Sequence, residues 1–215
     1  MFLYFYEYVN VKYRWSRLIM GSSLVKTLMP IHRTRIQSIP GGCTTDLWMW
    51  LQTEEGLFSA AYANSRLLFI GGNDLANGRR PEAVAQSVCE IVAHLKDIGD
   101  GTISVAGLPP RPALDSRSDV RSMLNYLLET RSNELDFKYV STEHHFIDSH
   151  GKTVLKYYKP KEVSRGRAIH FNEEGSTRLR LALLHGLGTG RHRGPSPRPY
   201  IIKPHQIGHM QSYHL

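Results

Sequence analysis

A chain of 215 residues, 41% of them hydrophobic and without an internal repeat, has room for one ordinary α/β domain with tails and not for a second domain. Its two cysteines, Cys43 and Cys89, exclude a disulfide framework and lack the paired spacing of a zinc site, which predicts reduced thiols, a cytoplasmic setting and no metal. The net charge of +8 admits an anionic partner such as nucleic acid, but the cations are scattered and no single run names one.

The opening stretch from Met1 to Tyr6 is apolar, yet Glu7 and Asn10 interrupt it before it could span a bilayer. It has neither a basic leader nor a small-residue cleavage site, so no transmembrane segment is expected and a secretory signal is not evident. Residues 1–16 remain an unassigned extension. Residues 17–20 form a short apolar run that stops at Gly21-Ser22-Ser23, and helical spacing resumes from Leu24 to Leu28. A strand, a glycine turn and a helix would set Ser23 beside a positive helix end, a good place for a nucleophile and equally for a plain N-cap.

Residues 34–39 alternate apolar and polar before Pro40-Gly41-Gly42. Thr44-Thr45-Asp46 then supplies a cap for a helix whose Leu47, Trp50 and Leu51 share one face. Residues 67–70 are a continuous apolar run, as in a parallel strand covered on both faces, and end in Gly71-Gly72-Asn73-Asp74. An Asn at that edge can donate its amide to a developing oxyanion. Pro81 opens a helix with the stripe Val84, Val88, Ile91, Val92 and Leu95 that stops near Gly99. A strand over 102–106 follows, then a helix carrying Val120, Met123, Leu124, Leu127 and Leu128, and a strand near 137–140. Residues 149–168 read as a long polar loop. Ile169-His170-Phe171-Asn172 then leads into a last helix that ends near Gly186, and residues 188–215 read as a basic, disordered tail.

Strands and helices alternating at this length predict a three-layer α/β/α domain over residues 17–187, with a flavodoxin-like parallel sheet of about five strands. Right-handed crossovers would bring the carboxyl ends of the strands, hence Ser23, Gly41 and Asn73, to one edge.

Taken together, these blocks resemble the SGNH hydrolases, also called GDSL-type esterases and lipases. Gly21-Ser22-Ser23 stands where that family has Gly-Asp-Ser, Pro40-Gly41 matches its second block, and Gly71-Gly72-Asn73-Asp74 matches its third. Arg167-Ala168-Ile169-His170 occupies the place of its Asp-x-x-His. The resemblance implies Ser23 as nucleophile, His170 as base, and an oxyanion hole from Ser23, Gly41 and Asn73. It also implies an acyl or acetyl ester as substrate, with neither metal nor organic cofactor. The departure at Arg167 removes the carboxylate that would orient His170, and Asp148 and Glu162 are the candidates to replace it. Two readings follow: a serine esterase with impaired or altered activity, and a non-catalytic domain on the same scaffold that binds RNA or another anionic partner.

Overall fold

The computed structural model describes residues 15–28, 30–112, 118–166 and 169–188. The two ends of the chain, including the basic tail and most of the N-terminal extension, lie outside the described residues, as does Arg167. Five strands form one sheet: β1 (Arg17–Gly21), β2 (Thr34–Ser38), β3 (Ser65–Phe69), β4 (Thr102–Ala106) and β5 (Lys138–Val140). Their order is β2-β1-β3-β4-β5 and every pairing is parallel, the flavodoxin-like arrangement the alternation predicts. Leu18, Ile19, Met20, Leu67 and Leu68 are fully buried, as a strand covered on both faces requires.

Two helices answer directly to sequence signals. The stripe beginning at Val84 belongs to α4 (Pro81–Ile98), with Pro81 at its start. The stripe around Leu124 belongs to α5 (Ser118–Glu134), where Leu124 and Leu128 are fully buried while Met123 is 45% exposed. The apolar face of α5 is therefore narrower than its spacing suggests. The last helix is α7 (Glu173–Gly186), capped by Asn172, whose side chain accepts the Gly175 N–H at 3.0 Å.

Elsewhere the structure adds to the expectation or corrects it. The turn after β1 is a 3₁₀ helix (Ser23–Thr27), tighter than the α-helix that the spacing suggests. The cap of α1 (Thr44–Leu51) is Cys43, whose N–H donates to Asp46 Oδ2 at 2.7 Å; Thr44 instead turns inward toward Asp74. Sequence periodicity passes over α2 (Glu54–Tyr62) altogether, although Thr53 caps it by accepting the Gly56 N–H and two glutamates occupy its first turn. A short helix α3 (Gly72–Ala76) follows β3 directly.

The stretch 149–168 is not a plain loop. It holds a 3₁₀ turn (Leu155–Tyr157) and a short helix α6 (Pro160–Val163). Phe146 stacks on Phe171 with ring centres 4.5 Å apart, and Tyr158 packs 5.1 Å from Phe171. Those aromatic contacts supply the apolar burial that polar neighbours conceal in the sequence.

The direction of α7 places its two ends. Ser104 Oγ donates to Gly186 O at 3.1 Å and Ser65 Oγ to Leu187 O at 3.3 Å, so the end of α7 lies near the amino side of the sheet. Its beginning therefore lies at the carboxyl edge. There Ser176 Oγ meets Thr27 Oγ1 at 3.4 Å, joining α7 to the 3₁₀ helix that follows β1.

Candidate active site

Ser23 is the first residue of the 3₁₀ helix after β1, half-buried, at the carboxyl edge. The strand ends around it fit closely. A Cβ on Gly21 would come within 2.3 Å of Phe69 O, so only glycine lets β1 end against β3 there. Ile39 N–H donates to Gly21 O at 2.8 Å, which fixes the end of β2 beside it. Gly41, past that end, has φ +72° and is exposed, a left-handed turn that glycine adopts without strain.

Asn73 lies in the first turn of α3, after β3. Its Nδ2 donates to Gly42 O at 3.1 Å, so the second and third strand ends are directly joined. The other amide hydrogen makes no hydrogen bond among the described residues. Asp74, fully buried, accepts from Thr44 N–H at 3.0 Å, from Thr44 Oγ1 at 2.8 Å and from Arg79 Nη1 at 2.6 Å. It ties the start of α1 to α3, a structural role the sequence does not announce beyond the Asn-Asp pair.

His170 precedes α7, at the same edge. The segment before it runs back alongside: Tyr158 and Phe171 form an antiparallel bridge, and Lys159 N–H donates to His170 O at 2.9 Å. Glu162, on α6, thereby faces the histidine. Its Oε2 accepts the backbone N–H groups of Ile169 and His170, both at 2.9 Å, and its Oε1 lies 2.8 Å from His170 Nδ1. Burial pushes the Glu162 carboxyl up, but the two backbone donors and the imidazole outweigh it and hold the pKa at about 2. An ionised carboxylate on Nδ1 fixes the ring proton there and leaves Nε2 as the basic nitrogen. Nε2 makes no hydrogen bond among the described residues, and the ring is 37% exposed.

The other candidate carboxylate goes elsewhere. Asp148 accepts the N–H groups of His150 and Lys152, both at 2.9 Å, and so builds its own turn. Arg167 itself is outside the described residues, so its relation to His170 is known only from spacing. Ser23, Gly41, Asn73 and His170 all lie at the carboxyl edge, although no hydrogen bond joins Ser23 to His170 among the described residues. Neither those residues nor their neighbours form a cluster able to hold a metal ion among the described residues.

Comparison with known proteins gives the family. The model of the GDSL-like lipase/acylhydrolase family matches residues 16–178. The chain belongs to that family. Its fold is shared with a GDSL-like lipase from Bacteroides thetaiotaomicron at TM-score 0.60 and 11% identity, over 85% of this chain and 94% of the other. A variant of an acetyl-xylooligosaccharide esterase from Geobacillus stearothermophilus superposes at TM-score 0.62 and 14% identity, covering 85% and 100%. A member of the lipolytic G-D-S-L family from Veillonella parvula gives 0.58 and 15%, covering 79% and 96%. No curated protein matches in sequence. At these identities the likeness establishes the GDSL-like fold, a five-stranded parallel sheet flanked by helices, while the activities named belong to those proteins. Within this GDSL-like domain, no described helix is long and apolar enough to cross a membrane.

Proposed function

We propose that the protein hydrolyses small acyl or acetyl esters through Ser23, His170 and Glu162. In this reading Ser23 Oγ attacks the ester carbonyl while His170 Nε2 takes its proton. Glu162 holds Nδ1–H and stabilises the imidazolium. The N–H groups of Ser23 and Gly41, with Asn73 Nδ2, receive the oxyanion, and the proton on Nε2 then passes to the leaving alkoxide. Water repeats the cycle on the acyl-enzyme. The observation that carries the reading is the bond between Glu162 and His170 Nδ1. It supplies, from eight residues upstream, the carboxylate that Arg167 displaces from the family position, and so removes the reason to expect an impaired enzyme. The Ser23–His170 bond would then form as substrate closes the site, since catalytic hydrogen bonds are often long without ligand.

The test is turnover of p-nitrophenyl acetate by wild type and by Ser23→Ala. Hydrolysis that depends on Ser23 is the expected result. Turnover unaffected by Ser23→Ala, or none from a folded wild-type protein across acetyl to butyryl esters, would overturn the assignment. In the latter case salt-dependent binding to single-stranded RNA decides for the non-catalytic reading.

A further inference from the structure

We propose that Arg111 selects substrates bearing an anionic group, a carboxylate or phosphate, close to the scissile ester; this deepens the hydrolase reading and rests on it. The residues after β4 that deliver Arg111 are held along their length. Gly107 N–H donates to Val140 O at 2.9 Å, and Thr142 Oγ1 donates to Gly107 O at 2.7 Å. Asn125 clamps Leu108 from both sides, its Oδ1 accepting the N–H at 2.7 Å and its Nδ2 donating to the carbonyl at 2.9 Å. Tyr158 OH donates to Pro110 O at 2.6 Å. A connection so tied fixes where the guanidinium can reach.

It reaches the residue before Asn73: Arg111 Nη1 donates to Gly72 O at 2.7 Å. The small pocket there is lined by Ser22 and Leu24, which flank Ser23, and by Phe69, Leu108 and Pro109. It has about 10 Å³ of space, room for one oxygen-sized group. Arg111 is thus placed between the nucleophile turn and the oxyanion turn, beside mostly apolar walls.

Unlike the arginines that pair across the fold, Arg111 has no counter-charge among the described residues. Arg35, Arg79 and Arg121 each meet a carboxylate, Glu55, Asp74 and Glu143 in turn. Arg66 donates to three backbone carbonyls, although its Nε too is buried without a partner. Arg111 has one carbonyl, its Nε is buried without a partner, and no carboxylate pairs with it among the described residues. A cation taken largely out of water with one carbonyl and no counter-charge is costly, and an anionic oxygen entering the pocket would offset that cost. The planar guanidinium suits either a carboxylate or a phosphate.

The experiment compares kcat/KM for two matched pairs, one charged on the acyl side and one on the alcohol side. These are p-nitrophenyl hemisuccinate against its methyl ester, and O-acetyl-lactate against its methyl ester. Wild type should prefer the anionic member of at least one pair by tenfold or more. Arg111→Gln should bring that ratio to about one, and Arg111→Lys should retain part of it. Taking the ratio on each variant removes any general loss of activity, and Arg111→Lys guards against a folding defect. A wild-type ratio of one or less in both pairs, or a ratio that Arg111→Gln leaves unchanged, overturns the proposal. Should no ester turn over, calorimetric binding of the same compounds to Ser23→Ala, with and without Arg111→Gln, decides. Charge-selective binding lost with Arg111 upholds Arg111 as the anion-selecting group of this site while sinking the hydrolase reading, and equal binding sinks the proposal.

Discussion

A carboxylate that accepts three N–H groups is hard to protonate, and Glu162 is such a group. Because its pKa is depressed from 4.5 to about 2, its contribution to stability is complete above about pH 4.5 and is lost as pH falls toward 2. The melting-temperature gap between wild type and Glu162→Gln should therefore be constant at neutral pH and shrink through that window. A gap that stays constant down to pH 2 would mean that the carboxylate is not held as described. For activity, Glu162→Gln should lower kcat by roughly 10³- to 10⁴-fold with little change in KM, by analogy with neutralising the carboxylate of a serine protease triad. Arg167→Asp should then do little in wild type, since Nδ1 has one proton to give and Glu162 already accepts it. In the Glu162→Ala background the same change should recover part of the lost kcat, because spacing returns a carboxylate to the family position. A large gain in wild type would show that Glu162 is not the working partner.

Elements hold their positions here through buried polar groups as much as through apolar packing. Arg66 on β3 is fully buried, and its guanidinium donates to the carbonyls of Leu95, Gly99 and Gly101, closing the carboxyl end of α4. Burial lowers its pKa to about 10, with Asp100 acting the other way, so the charge persists at neutral pH. Arg66→Met leaves those carbonyls without a donor while removing a buried charge, and the balance should cost about 2–4 kcal/mol, read as a lowered denaturant midpoint. An unchanged midpoint would mean that water serves the helix end equally well. The sequence hides this: an Arg inside an apolar strand reads as an interruption. It hides α2 for a different reason, because Gly56 and the small residues of that helix carry little periodicity. By contrast α4 was legible, since Pro81 and an unbroken stripe point to the same element. Glu162 could be seen as a candidate but not placed, because what brings it to His170 is a bridge between Tyr158 and Phe171 rather than any local spacing.

Across the whole molecule, stability should decline from the middle of the sheet outward. β1 and β3 each pair on both sides and carry fully buried residues, whereas β2 is an edge strand in which every residue is only half-buried. Native-state hydrogen exchange should find the slowest amides in β1 and β3 and faster exchange in β2. Equal protection in β2 would place the cooperative unit differently. The parallel order and the carboxyl-edge site were readable because glycine turns recur at successive strand ends. The carboxylate that meets His170 at that edge was less so, since it comes from a segment that looks like a loop.

The reach of Glu162 across to Nδ1 also bears on how such a chain could change over generations. While one carboxylate holds the imidazole, the position three residues before it is under no chemical selection for acidity, and Arg167 can arise there without a silent ancestor. Such a lineage would acquire the glutamate first and shed the aspartate afterwards. Relatives with the aspartate alone, with both carboxylates or with the glutamate alone are then the expected forms, and in a relative with neither the imidazole would have no carboxylate at Nδ1.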